Sequence, residues 1–393
     1  MSAHDECAAR ERPRFEIGDI VRAHRGALEA ARPLSLDQRR ALSAIELCRT
    51  AALGGHLDVC TACGHEQPAY NSCRNRHCPK CQSLAQEKWV TERLARILPV
   101  SHFHVVFTLP AALRTLAAYR PSLIYNLLFE AASTTLLEVG RGPKLGGLLG
   151  VTAVLHTWTR ELVLHPHLHC IVTGGALAPS GDRWIRARAR YLLPVRLLGE
   201  VFRGKFLAAL RREHARGGFA GFNAFDDPEG FERLCSAITK HRWVVYAKKP
   251  FAGPQHVFRY LGRYTHRVGI ANSRILDVAD DHVTFRTKDG KAITLAPVDF
   301  LARFVQHVLP KGYVKIRHYG LLASSNVHTL LERARTLLRP TAPADDAPLA
   351  TSWLEILLAL TGRDVRRCTV CDGAVVMAPL PSPPTPTARA PPS

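Results

Sequence analysis

Three groups of side chains have the types and spacing of reactive or metal-binding sites. The first is His165-Pro166-His167-Leu168-His169, which runs on into Cys170-Ile171-Val172-Thr173. Side chains alternate in direction along a strand, so His167 and His169 would share one face. Two imidazoles held on a strand make half of a site for a divalent metal. The plainer alternative is a pair of partly solvated strand histidines. The second group is Cys60-Thr61-Ala62-Cys63 with Cys78-Pro79-Lys80-Cys81, two knuckles fourteen residues apart. Each knuckle puts two thiolates on one turn. Two of them close a tetrahedral zinc site of Cys60, Cys63, Cys78 and Cys81. His56, Cys73 and His77 are surplus donors nearby, read as ordinary loop residues, with substitution for one ligand or help in holding a second ion as the alternative. Arg74, Arg76 and Lys80 decorate the loop and suit phosphate contact. The third group is Tyr260 and Tyr264, four residues apart on a helix that opens at Gly253-Pro254, and so on one face. Arg259, Arg263 and Arg267 form a second four-spaced row beside them. Hydroxyls flanked by guanidinium groups suit a phosphate; half-buried packing tyrosines are the competing reading.

These groups need elements to hold them. The pattern predicts strands at 103–109 and 148–158, the latter antiparallel to the His167 strand, and another at 243–247. Lys248 and Lys249 follow that strand and lie close upstream of the tyrosine helix, where a cation could neutralise a phosphate. Helices are expected over 111–139 with a break at Pro121, over 197–212 and over 297–309. Three short strands (274–278, 282–286, 292–295) turn through Lys288-Asp289-Gly290-Lys291. Arg186, Arg188 and Arg190 alternate over 184–191, either as a solvated sheet edge or as a track for a single-stranded backbone. Residues 311–320 read as a basic strand, and 330–338 and 352–360 as helices. Ser35 with Gln38 makes a capping box that starts a helix, and 86–97 is a basic helix. Residues 1–33 are charged with little pattern and read as a basic, poorly ordered N-terminus. Cys368-Thr369-Val370-Cys371 is a knuckle with no second one after it, so no zinc is expected there. Residues 379–393 are proline-rich and read as disordered.

The 393 residues are 47% hydrophobic, enough for real cores in two or three domains. The formal net charge of +20 points to a polyanion, most simply nucleic acid, with a membrane surface as the weaker alternative. No apolar run reaches the length of a spanning helix. The polar start is no secretory signal. Five of the 11 cysteines crowd between Cys60 and Cys81. With no such signal, that crowding reads as metal binding in the cytoplasm and not as disulfides.

Taken together, the His-hydrophobe-His pair upstream of a Tyr-x-x-x-Tyr helix resembles the HUH endonucleases with two tyrosines. Four further stretches resemble the IS-ninety-one family of rolling-circle insertion-sequence transposases. They are Leu155-His156-Thr157-Trp158, Tyr260 through Asn272-Ser273-Arg274, Asn71 through Gln82, and Lys311 through Gly320. The resemblance covers about residues 30–335 with the motifs in order. It implies an α+β fold: an HUH-type antiparallel sheet flanked by helices, preceded by a small zinc-ribbon-like DNA-recognition domain. The division would be 1–33, a zinc domain at 34–98, a catalytic domain at 99–335, and a linker, short helix and tail at 336–393. It implies a third ligand beside His167 and His169, for which His156 is the choice and His165 the second. It implies magnesium or manganese there and zinc in the ribbon. The expected activity is attack by Tyr260 or Tyr264 on unpaired DNA, giving a 5′-phosphotyrosine and strand transfer. The expected setting is a bacterial cytoplasm, at the nucleoid, with no membrane and with a homo-oligomer allowed. A plasmid relaxase or replication initiator of the same chemistry, and a non-catalytic zinc-finger regulator, stay open as alternatives.

Overall fold

A computed structural model describes residues 13–94, 97–188, 191–227, 229–241, 243–248, 269–287, 289–338 and 352–380. In chain order, helices α1 (Ile17–Ala31) and α2 (Leu36–Leu47) lead to strands β1 (Gly55–Cys60) and β2 (Glu66–Tyr70), helix α3 (Gln82–Leu94) and strand β3 (His102–Thr108). Helices α4 (Arg114–Tyr119) and α5 (Pro121–Arg141) precede β4 (Gly150–Trp158), β5 (Leu164–Thr173), β6 (Gly175–Leu177) and β7 (Trp184–Arg186). Then come α6 (Val195–Ala215), α7 (Gly230–Lys240), β8 (Val245–Lys248), β9 (Ile275–Val278), β10 (Val283–Arg286) and β11 (Ala292–Leu295). The described chain ends with α8 (Pro297–Val305), β12 (Ile316–Gly320), α9 (Leu330–Leu338), α10 (Trp353–Thr361) and β13 (Val375–Pro379). The fold is α+β, as expected.

The organising element is a five-stranded sheet in the order β12-β4-β5-β3-β8, antiparallel throughout. Alternation gives it two unlike faces. One carries Phe103, Val105 and Phe107 of β3, Val151, Ala153 and Leu155 of β4, and Leu168, Cys170 and Val172 of β5. These pack with Leu128 and Phe129 of α5 and Phe202 and Phe206 of α6 into the main core. Pro121 sits at the first turn of α5, where a missing N–H costs nothing. It therefore separates α4 from α5, which is the break the sequence suggested. The opposite face carries the histidines, partly roofed where Val90 of α3 meets Val154 and Ile171.

A second core joins distant parts of the chain. Ile17, Ile20, Val21 and Leu28 of α1 and Leu42 and Ile45 of α2 are buried with Phe285 of β10 and Phe300, Leu301 and Phe304 of α8. Asn272 accepts a hydrogen bond from the Ile17 backbone N–H (3.2 Å), and Gln38 donates to the Val305 carbonyl (3.0 Å). This corrects the reading of residues 1–33 as patternless. Within the described residues, 17–31 form a helix whose apolar stripe recurs at helical spacing between charged positions. The expected capping box at Ser35 and Gln38 is present.

The sequence reading also passed over a strand just ahead of the proline-rich tail, whose residues 381–393 lie outside the described residues. Val375–Pro379 is a strand, and it pairs antiparallel with β1, Cys60 opposite Val375 and His56 opposite Pro379. Its partner lies near the other end of the sequence, so no local pattern could announce it. Two other predicted elements are shorter than expected. Residues 311–320 are strand only at Ile316–Gly320, and among the described residues of 184–191 the strand is Trp184–Arg186, with an isolated bridge between Arg188 and Tyr191; Arg190 lies outside the described residues.

Candidate metal centre and nucleic-acid site

The sheet register builds the histidine centre. His156 of β4 lies directly opposite His167 of β5, and Val154 opposite His169. His156, His167 and His169 therefore converge on one face, with their candidate ligand atoms all within 4.8 Å of one another. Their ring centroids lie 5.4 Å apart for His156 and His167, 4.2 Å for His156 and His169, and 4.9 Å for His167 and His169. His165, the second choice for the third ligand, falls outside the cluster.

Hydrogen bonds orient these rings. The His167 Nδ1–H donates to the His165 carbonyl (2.7 Å), which leaves Nε2 with a lone pair. His169 Nδ1 lies 2.7 Å from Nε2 of His104 on β3, so its own Nε2 is the nitrogen turned to the cluster. Such outer partners fix the tautomer of ligating histidines. Burial pushes the His167 pKa down to about 4, so the ring is neutral near pH 7, as a ligand must be. Trp158 stacks on His156 with 4.9 Å between centroids. The sequence reading missed His104. Its signal was available, since His102 and His104 alternate along a predicted strand just as His167 and His169 do. At the far edge β8 ends at Lys248, whose backbone is in register with His104.

Tyr260, Tyr264, Arg259, Arg263, Arg267 and Lys249 lie outside the described residues, as does the Lys248 side chain. The described part of β8 ends at Lys248, and the next described residue is Gly269.

The cysteines do not group as expected. Cys60 and Cys63 do not share a site with Cys78 and Cys81. Cys78 and Cys81 cluster with Cys48 and Cys73, while Cys60 and Cys63 cluster with Cys368 and Cys371. In the first cluster Cys81 Sγ lies 3.2 Å from Cys48 Sγ and 3.6 Å from Cys73 Sγ. The physical reason is the strand pairing: β1 delivers its knuckle to β13, and the end of α2 delivers Cys48 to the loop before α3. Cys48 was overlooked because it ends an amphipathic helix and looks like core. His77 is no ligand: its Nε2 accepts a hydrogen bond from the Leu309 backbone N–H at 3.1 Å. His56 faces Asp58 instead, at 3.1 Å.

The loop cations also divide. Arg76 donates to the carbonyls of Tyr313 (2.6 Å) and Pro310 (2.9 Å), so it ties the cysteine loop to the segment before β12. Lys80 pairs with Glu16. Arg74 is exposed. Of the three expected phosphate contacts, only Arg74 is turned to solvent.

Comparison with known proteins bears on this arrangement. A putative transposase of Sinorhizobium fredii, y4qJ, is 44% identical over 368 residues, covering 91% of this chain and 92% of that protein. A family model described as a transposase zinc-binding domain matches residues 20–109, and one described as a putative transposase matches 150–329. The chain belongs to the IS-ninety-one family of transposases. A second relative of this transposase, the transposase for insertion sequence element IS801 of Pseudomonas savastanoi pv. phaseolicola, is 28% identical over 350 residues, 84% of this chain and 80% of that protein. No solved structure matches the chain significantly. The zinc-binding family domain contains all of Cys48, Cys73, Cys78 and Cys81, which supports structural zinc in this transposase. No helix among the described residues is long and apolar enough to cross a membrane.

Proposed function

We propose that this transposase nicks single-stranded DNA at the ends of its element through a tyrosine and transfers the strand by a rolling-circle route. The observation that supports the reading is the convergence of His156, His167 and His169 on one face of an antiparallel sheet, with the Tyr-x-x-x-Tyr stretch following in sequence the edge strand β8, which β3 separates from the histidine strand β5. The donors suit a divalent cation. They are three nitrogens: the His165 carbonyl sets the tautomer that leaves His167 Nε2 a lone pair, and ligation by His169 Nε2 would have its Nδ1–H donate to His104. An all-imidazole set ranks manganese ahead of the harder magnesium. Held by these residues, the cation would draw charge from a non-bridging phosphate oxygen and make phosphorus more electrophilic.

The chain's own groups do the rest. His104 keeps His169 in its tautomer. Tyr260 or Tyr264 supplies the nucleophile: its Oη–P bond forms as the P–O3′ bond breaks. The phenol proton passes to solvent, and the 3′-oxygen takes up a proton as it leaves. The covalent link keeps the phosphodiester energy, so no nucleotide triphosphate is needed. The four-residue spacing expected of a helix would put the second tyrosine on the same face, where it would hold a second strand. Arg259, Arg263, Arg267, Lys248 and Lys249 are assigned to the phosphate backbone, together with Arg74 in the zinc region.

The test uses full-length protein, manganese and end-labelled single-stranded DNA carrying the element terminus, run on a denaturing protein gel. Label should migrate with the protein, and be lost with chelator or in the double variant Tyr260→Phe with Tyr264→Phe. Tight binding with no covalent adduct on any terminus would instead favour a non-catalytic DNA-binding role.

A further inference from the structure

The zinc-binding family domain ends at residue 109 and so contains only half of the second cysteine cluster. We propose that Cys60, Cys63, Cys368 and Cys371 form a second zinc site, which joins the two ends of the chain. The four thiols lie together although Cys60 and Cys371 are 311 residues apart in sequence.

Both halves are knuckles of the same design. The Gly64 N–H donates to the Cys60 carbonyl (3.0 Å), and the Asp372 N–H to the Cys368 carbonyl (3.2 Å). The Cys60 N–H donates to the His65 carbonyl (2.9 Å), and the Cys368 N–H to the Gly373 carbonyl (2.8 Å). In each, the residue after the second cysteine is left-handed: φ is 70° at Gly64 and 59° at Asp372. Backbone N–H groups also point at sulfur, from Ala62 to Cys60 Sγ (3.4 Å) and from Val370 to Cys368 Sγ (3.4 Å). A non-glycine residue in that conformation, as at Asp372, is uncommon; with Gly64 at the matching place, the same left-handed turn follows each Cys-x-x-Cys and is shaped for two thiolates.

The spacing fits a metal and not a disulfide. Cys60 Sγ lies 3.5 Å from Cys371 Sγ, and Cys63 Sγ 3.8 Å from Cys368 Sγ. A tetrahedron with Zn–S near ~2.3 Å has edges of about 3.8 Å; a disulfide would need about 2.05 Å. Gly373 makes room: a Cβ there would stand 3.1 Å from Cys60 Sγ and 3.3 Å from Cys371 Sγ.

Packing alone gives β13 little reason to stay. Val370, Val376 and Met377 are 68%, 50% and 76% exposed, and none of the four thiols belongs to a hydrophobic core. A segment with so little apolar burial needs another source of folding energy, and metal ligation supplies it.

Zinc per chain, read by elemental analysis and native mass spectrometry on the full-length protein, tests this. Two zinc ions are expected, falling to one in Cys368→Ser with Cys371→Ser, and to one in Cys73→Ser with Cys81→Ser. One zinc in the parent protein with no change in the Cys368/Cys371 variant would overturn the proposal. So would an intact mass short of the hydrogens that a disulfide removes. Should the double serine variant fail to fold, Cys371→His keeps the question open to X-ray absorption at the zinc edge. The expected result is two zinc ions with one nitrogen among eight ligands; an all-sulfur shell in that variant would refute the assignment.

Discussion

His104→Phe is the sharpest probe of how the histidine centre is held. The change keeps a flat ring of similar size on β3 and removes the nitrogen 2.7 Å from His169 Nδ1. His104 is 1% exposed, so water cannot readily replace it. An N–H left without its partner costs about 1–3 kcal/mol. His169 is itself only half-buried, which favours the lower half of that range. With 1.4 kcal/mol per decade, manganese affinity should fall by roughly tenfold, within the 10–100-fold typical of lost outer partners of metal ligands. The assay is isothermal titration with manganese, alongside the manganese midpoint of covalent adduct formation at saturating DNA. Both midpoints should move together, with the thermal midpoint of the metal-free protein little changed. His104→Gln should recover part of the loss, because its amide oxygen can accept from Nδ1–H. Unaltered manganese midpoints in a folded His104→Phe protein would refute the argument that His104 sets the ligand tautomer.

Four further predictions follow from the same structure. Arg76→Ala should lower folding stability by about 2 kcal/mol in urea melts, since two carbonyls lose a charged donor. Arg74→Ala should leave stability within about 0.5 kcal/mol and reduce the salt slope of DNA binding by roughly one. Burial holds His102 and His307 down at about 4 and His77 at about 3. Because these values lie below the ordinary 6.5 of the unfolded chain, the unfolded state binds more protons between them. Stability should be full above pH 6.5 and fall as pH drops towards 4, by at most about 1.4 kcal/mol per pH unit for each histidine. Urea midpoints across that range check it, and His307→Gln should flatten the slope. Gly320→Ala should cost about 2 kcal/mol or more, because φ is +60° and the new Cβ would lie 1.9 Å from the Leu149 carbonyl oxygen at the end of the edge strand; a melt unchanged from the parent would contradict this.

What could be read from the sequence was local. His167 and His169 alternate, 148–158 alternates against them, and pairing those two strands already brings His156 into reach. The capping box at Ser35, the break at Pro121 and the meander through Gly290 are all written in a few adjacent residues. What could not be read was long-range pairing. The knuckle at Cys60 looked complete with the one at Cys78 because spacing measures distance along the chain, while β1 carries it to a partner at the opposite end. Setting aside Cys7 and the strand and helix thiols Cys170 and Cys235, eight cysteines remain, enough for two sets of four. That count was legible, but the division was not. α1 escaped notice because four apolar residues among many charges make a stripe only once the helix is drawn.

The pairing of β1 with β13 also has a consequence in time. As the chain leaves the ribosome, β1 can meet β2 at once, but its other edge waits for β13 until residues 375–379 are made. At 5–20 residues per second, the 311 residues that separate Cys60 from Cys371 take on the order of tens of seconds to synthesise. Throughout that interval the knuckle at Cys60 is half of a fastening, open to partners other than its own. A prematurely terminated copy never closes it. Products cut short before β13 therefore differ from longer ones in more than length: only a chain translated through Pro379 can seal the second edge of β1.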